Sequence, residues 1–244
     1  MTIGVMGAGV MGSGIAQVLA AAGHGVICRD LDEAVLERAR TTLVEGRFGF
    51  DGAVERGLLT QREADAAAAR LTFTTDLALA AATDLVIEAI PEDLELKIRF
   101  WRELDRLCPP ETIFASNSSG FPIAAMAAAT DRPDRFIGWH WASPAPVMKL
   151  AEIVRGPHTS DATVNTVVSL AAAAGKNPIV VADTDTSWGY VANRVYFAMV
   201  REASRVVAEG IASHEEVDQL MMDCFRWPAG PFGMAAGAGS GWAK

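Results

Sequence analysis

The run Ile3-Gly4-Val5-Met6-Gly7-Ala8-Gly9-Val10-Met11-Gly12-Ser13-Gly14 constrains this chain more than any other stretch of it. A few apolar residues lead directly into Gly7, Gly9 and Gly12, and an alanine-rich helical segment follows, so the run reads as strand, tight turn and helix. The glycines have separate physical tasks. Gly7 permits the turn, Gly9 lets the backbone approach a pyrophosphate, and Gly12 lets the helix, read from Ser13 to Ala22, pack closely on the strand. The anion would then meet unpaired N–H groups at the positive end of a helix.

Glycine clusters also occur in ordinary turns, and the residues that follow decide between the two. Gly23 and Gly25 close the helix, and Val26-Ile27-Cys28-Arg29-Asp30 reads as a second strand. Asp30 falls about 20 residues past the glycines, where a carboxylate accepts the ribose hydroxyls of an adenosine. It also repels a 2′-phosphate, which favours NAD over NADP, although the adjacent Arg29 is a group that can tolerate one.

Strands and helices then alternate. Leu31 to Glu45 is helical; Gly46 to Arg70 is a helical excursion in which Thr60 and Glu63 have capping-box spacing. Leu71 to Thr74 is a strand, Asp76 to Ala82 a helix, and Asp84 to Ile90 a strand apolar enough to be buried on both faces. Glu92 to Leu107 is an amphipathic helix, stopped by Pro109-Pro110, and Thr112 to Ala115 a strand that opens into Ser116-Asn117-Ser118-Ser119. A helix from Ile123 to Ala129, strands Arg135 to His140 and Lys149 to Val154, a helix from Asp161 to Ala174 and a strand Ile179 to Ala182 complete the pattern. It predicts an α/β chain with a doubly wound, mostly parallel sheet of the Rossmann type, with Asp30, Ile90 and Ser116 on the ligand-binding rim at the carboxyl ends of the strands. Beyond a boundary near Asp183 to Gly189 the character changes: Val191 to Glu209 and Ser213 to Phe225 are long helices, and Ala235 to Gly241 reads as a low-complexity, mobile tail. The division is therefore residues 1–183 for dinucleotide binding and 184–244 as a small all-helical domain.

Composition removes several function classes. A formal net charge of -9 argues against a nucleic-acid or anionic-membrane binder. No apolar run spans a bilayer. Cys28, Cys108 and Cys224 have no metal-ligand spacing, and their odd number suits reduced thiols in a cytoplasmic protein without a visible secretory signal.

Ser119, His140, Glu152 and Asn193 are the polar positions expected near the rim. Hydride transfer from an alcohol needs a base for the hydroxyl proton and a group that orients that base. His140 with Glu152 has this chemistry, because a carboxylate bonded to one ring nitrogen fixes the tautomer and makes the other nitrogen more basic. Taken on spacing alone, His140 as a strand-end histidine bonded to a carbonyl and Glu152 as a solvated strand residue are the alternatives. Ser119 and Asn193, taken singly, read as loop or helix-capping polars, and Glu92 with Lys97 as a solvated helix face carrying an intrahelical ion pair.

The chain resembles the 3-hydroxyacyl-CoA dehydrogenase family in Gly7 to Ala16, Glu88 to Lys97, Phe114 to Ser119, Pro146 to Val154, Asn193-Arg194 with Glu202-Ala203, and Gly230-Pro231-Phe232, in order over nearly its whole length. The resemblance implies His140 as catalytic base paired with Glu152, with Ser119 and Asn193 polarising the substrate oxygen. For NAD it implies contacts from Gly7, Gly9, Val10, Met11, Gly12, Asp30, Ala89, Glu92, Lys97, Asn117 and Ser143. It further implies a small acyl substrate, possibly a CoA ester, and a homodimer. Three departures stand out. A family asparagine near the nicotinamide is Ser143 here, in His140-Trp141-Ala142-Ser143-Pro144. The excursion that helps hold CoA in the family has Arg47, Arg56, Arg62 and Arg70 but no lysine, and the helical domain is shortened. A dehydrogenase of a non-CoA β-hydroxy acid or carrier-bound group, and a catalytically silent dinucleotide-binding structural protein, are the competing functions.

Overall fold

Parallel pairing of short apolar strands, each returned by a helix, builds the first part of the molecule. The strands are β1 (Thr2–Met6), β2 (Gly25–Arg29), β3 (Leu71–Thr74), β4 (Leu85–Glu88), β5 (Ile113–Ser116), β6 (Phe136–Trp141), β7 (Leu150–Arg155) and β8 (Asn177–Ala182). The helices among them are α1 (Val10–Ala21), α2 (Glu33–Glu45), α3 (Phe50–Glu55), α4 (Gln61–Ala68), α5 (Leu77–Ala81), α6 (Leu94–Asp105), α7 (Ile123–Ala127) and α8 (Asp161–Ala173). A computed structural model provides this description, for residues 1–184 and 188–240. The chain divides into two compact units, Met1–Trp188 and Gly189–Lys244.

The sheet of the first unit has the order β3-β2-β1-β4-β5-β6-β7-β8. Strands β1 to β6 are parallel; β7 is antiparallel to β6, and β8 runs with β7. The strand order therefore reverses between β1 and β4, where an open α/β sheet leaves a crevice at the carboxyl ends of its strands. Every residue of β4 and of β5 is buried, as their apolar runs require. On one face Ile15 and Leu19 of α1 and Val167 and Leu170 of α8 join Trp139 and Trp141 in the main core. Alternation along β6 puts Phe136, Gly138 and His140 on the other face, where Trp101 of α6 meets Phe114 and Phe136 at ring-centroid distances of 4.9 and 4.8 Å.

Local chemistry sets the helix starts. The carboxylates of Asp32, Asp76 and Asp93 cap α2, α5 and α6, and Thr60 and Glu63 form the expected capping box on α4. Helix α1 begins at Val10, three residues before the Ser13 expected from the alanine run, because its N-cap is Gly9 and the glycines themselves enter the helix. The second unit has α9 (Val191–Ala208), α10 (His214–Phe225) and α11 (Pro231–Ser240). The mobile tail expected from Ala235 is helical through Ser240, and Gly241 lies outside the described residues. Helix α11 starts because Asp218 of α10 accepts hydrogen bonds from Phe232 N and Gly233 N at 2.8 and 2.7 Å, a long-range cap that composition alone does not reveal.

Candidate functional site

The glycine turn joins β1 to α1 at the point where the strand order reverses. Gly7 adopts a φ of 101°, and a Cβ there would stand 2.5 Å from Ala89 O, so the turn fits closely against the end of β4. A Cβ on Gly12 would stand only 1.8 Å from Gly7 O. Gly9 is different: it is exposed, and a Cβ there would meet nothing within 4 Å. The glycine thus leaves open space directly at the N-terminus of a 12-residue helix, beside exposed Val10 and half-buried Met11. Asp30 accepts from Ala8 N at 2.8 Å through one carboxylate oxygen and from Leu31 N at 2.7 Å through the other, so the same carboxylate expected to meet ribose also fixes the turn.

A second set of groups lies at the ends of β4 and β5. Glu88, fully buried, accepts from Lys97 Nζ at 2.5 Å and Ile90 N at 3.0 Å through Oε1, and from Ser116 Oγ at 2.7 Å through Oε2. Lys97 also pairs with Glu92 at 3.2 Å, and Glu92 Oε1 accepts from Ser118 Oγ at 2.6 Å and Ser119 N at 2.9 Å. Burial raises the Glu88 carboxyl above its ordinary value, opposed by the Lys97 ammonium and the three hydrogen bonds. The solvated-face reading of Glu92 and Lys97 is overturned. Lys97 is 1% exposed, and Glu92 precedes α6, so their ion pair crosses from loop to helix and continues inward to Glu88. The reason is tertiary, since α6 lays Lys97 over the end of β4.

His140 and Glu152 form the third feature. They are direct cross-strand partners in the antiparallel pair of β6 and β7, which places their side chains together on one face. His140 Nδ1 lies 2.6 Å from Glu152 Oε2, with both residues buried. This excludes the solvated reading of Glu152, and it gives His140 Nδ1 a carboxylate partner in place of the carbonyl considered from sequence. An ionised carboxylate only accepts hydrogen bonds, so in a pair with one Nδ1 is the donor.

The remaining candidates occupy several places. Asn117 Oδ1 accepts from Trp141 N at 3.0 Å, tying the loop after β5 to the end of β6. Ser119 is half-buried on that loop, and Ser143 is exposed in the connection from β6 to β7. Asn193 is half-buried on the first turn of α9, in the second unit. Sequence reasoning gave no role to Glu88 or Ser118 and placed Ser116 on the rim without a role of its own. A lone acid closing the apolar run Leu85-Val86-Ile87 was the available signal for the first of them. These groups fit NAD: an open glycine cradle at a helix N-terminus, and a ribose-range carboxylate beside it.

Residues 2–184 match the model of the 3-hydroxyacyl-CoA dehydrogenase NAD binding domain, and residues 189–244 that of the 3-hydroxyacyl-CoA dehydrogenase C-terminal domain. The chain belongs to the 3-hydroxyacyl-CoA dehydrogenase family. It is 41% identical to a probable 3-hydroxybutyryl-CoA dehydrogenase of Bacillus subtilis over 95% of this chain and 78% of the relative. It is 38% identical to the mitochondrial hydroxyacyl-coenzyme A dehydrogenase of Homo sapiens, over 93% of this chain and 73% of the relative. The crystal structure of (S)-3-hydroxybutyryl-CoA dehydrogenase from Ralstonia eutropha superposes with a TM-score of 0.89 at 39% identity, covering 94% of this chain and 79% of that one. As a 3-hydroxyacyl-CoA dehydrogenase family member, the protein is an NAD-dependent oxidoreductase whose first unit contains the NAD-binding fold. Among the described residues, no helix is long and apolar enough to cross a membrane.

Proposed function

We propose that the protein interconverts a 3-hydroxyacyl-CoA thioester and its 3-oxoacyl counterpart, with residues 1–183 holding the cofactor and residues 184–244 forming the helical domain. The observation that carries the reading is the buried 2.6 Å contact between His140 Nδ1 and Glu152 Oε2. Bound NAD supplies the hydride acceptor or donor. His140 Nε2 takes the substrate hydroxyl proton, and Glu152 stabilises the imidazolium that results and keeps the ring oriented. Ser119 and Asn193 are assigned the hydrogen bonds to the reacting oxygen, Asn193 on its motif alone. Gly7, Gly9, Val10, Met11, Gly12 and Asp30 are assigned to the pyrophosphate and adenosine ribose, and Ala89, Glu92, Lys97, Asn117 and Ser143 to the remainder of NAD.

Assay of 3-hydroxybutyryl-CoA beside free β-hydroxy acids and a carrier-protein thioester tests the substrate. The CoA ester is expected to lead in kcat/KM by about a hundredfold or more, a transition-state difference of about 2.7 kcal/mol. A free acid or carrier-bound substrate in the lead sinks the CoA assignment and favours the second reading, which rests on exposed Ser143 and the lysine-free excursion. Turnover that vanishes in Glu152→Gln excludes a purely structural protein.

Homodimer formation is part of the same proposal. Exposed Val195 on α9 and Leu220 and Phe225 on α10 are apolar surface of the kind that association covers. Sedimentation velocity is expected to give twice the chain mass of 25.9 kDa, and a monomer at micromolar concentration contradicts it. The cytoplasm is the proposed location, in keeping with the three free thiols Cys28, Cys108 and Cys224.

A further inference from the structure

Lys176 has no part in the site described above, yet it is only 6% exposed, at the turn between α8 and β8. Its Nζ donates to Ala145 O at 2.5 Å and to Met148 O at 2.8 Å, and lies 5.4 Å from the centroid of the Trp141 ring. A buried ammonium ordinarily has a carboxylate beside it; this one has two carbonyls and an aromatic face. All three partners lie on one segment, the end of β6 and the connection to β7. That segment begins at Trp141, one residue after His140, contains Ser143, and ends two residues before Glu152 at Leu150.

The same connection rests on the dinucleotide helix. A Cβ on Gly14 of α1 would stand 3.2 Å from Ala145 Cβ and 3.3 Å from Pro146 Cδ, so the loop packs on α1 within its first two turns. Trp141 N donates to Asn117 Oδ1, which brings in the loop after β5 as well. Sheet pairing holds the His140 and Glu152 strands and, through Asn177 N donating to Lys149 O at 2.8 Å, Lys149, but it does not hold residues 142–148, whose internal bonds are Val147 N and Met148 N donating to Pro144 O, each at 3.0 Å.

We propose that Lys176 is a positioning residue for the cofactor: its Nζ clamps the β6–β7 connection, which includes Ser143, down on α1 close to the glycine cradle. The clamping amine titrates, and its neutral form keeps two N–H groups for the two carbonyls. Burial, with a smaller contribution from the nearby Lys149 ammonium, brings the Lys176 pKa from 10.5 down to about 8. Lys149, whose Nζ donates to Gly175 O, is the charged group that acts on it from the loop; its contacts on β6 and at the end of α8 are uncharged.

The sign of the linkage gives a signature that a merely structural lysine lacks. The folded pKa is depressed, so the charge opposes folding below pH 8, and stability from this group rises as pH goes from about 8 towards 10.5. Measured against a released, solvated lysine, the hold on the loop strengthens over the same rise. NAD affinity and the stability contribution of Lys176 thus move in the same direction.

Calorimetric titration with NAD from about pH 6.5 to 9.5 tests this without reference to any acyl substrate. The unaltered protein is expected to bind about tenfold more tightly at the alkaline end than at neutral pH. Lys176→Met is expected to have lost that pH dependence. A flat profile in the unaltered protein, or a slope retained in Lys176→Met, overturns the proposal. Amide hydrogen exchange at Val147 and Met148 in the unaltered protein gives a test that requires no variant. Protection, corrected for intrinsic rates, should rise across the same pH range, and constant protection contradicts the clamp.

Discussion

Replacing His140 by alanine should lower turnover by about 10³- to 10⁴-fold while NAD binds with nearly unchanged affinity. The size follows from what the side chain does. In the proposed mechanism Nδ1 is committed to Glu152 at 2.6 Å, so the proton of a substrate hydroxyl goes to Nε2, and alanine leaves no group in that place to take it. NAD affinity is spared because the proposed cradle is held elsewhere: Gly7 N donates to Arg29 O of β2, Asp30 accepts from Ala8 N of the turn and donates through its own N to Thr74 O of β3, and neither Gly7 nor Asp30 bonds β6 in these contacts. Steady-state kinetics with calorimetry of NAD binding separate the two effects. Turnover within tenfold of the original removes His140 from the role of base, and a parallel loss of NAD affinity shows that the substitution disturbed the sheet instead. Glu152 sharpens the comparison: it is buried, and its direct register partner is His140.

The second large effect distinguishes two glycines three residues apart. Gly12→Ala should destabilise the fold by about 3 kcal/mol, which for a chain of this size lowers Tm by about 6 to 12 °C. The added Cβ would lie 1.8 Å from Gly7 O and 2.8 Å from Gly7 C, both backbone atoms, so helix α1 must move away from the turn. Gly9→Ala should leave Tm within about 2 °C, because its Cβ meets no protein atom within 4 Å and its φ of -67° suits any residue. Its NAD affinity should nevertheless fall by more than about tenfold, since the methyl group occupies the space proposed for the pyrophosphate. Thermal melts and NAD titrations of both variants give the test. Equal destabilisation by the two, or unimpaired NAD binding by Gly9→Ala, contradicts the division of labour between them.

The two variants also mark how far the sequence reaches. The order of strands and helices was legible because apolar runs, caps and glycines act over a few residues: Asp32, Thr60, Asp93 and Ser213 each cap the helix that follows them. Helix α11 was not legible, because the carboxylate that starts it, Asp218, is 14 residues before Phe232. Likewise, the sequence marked Glu92 and Lys97 as a pair with two possible meanings. Only the fold brought Glu88 to the same ammonium and made the pair part of the loop that carries Ser119.

By itself, then, the sequence determined the turn, its glycines, the acid that follows the second strand and the alternation that makes a doubly wound sheet. These depend on sterics and periodicity within one strand–turn–helix unit. The tertiary structure alone decided that β7 runs antiparallel to β6, which makes residues 12 apart direct neighbours, and that Lys176 reaches back to Ala145 and Met148. Those relations depend on strand direction and on burial, and neither quantity is defined until distant segments share one sheet.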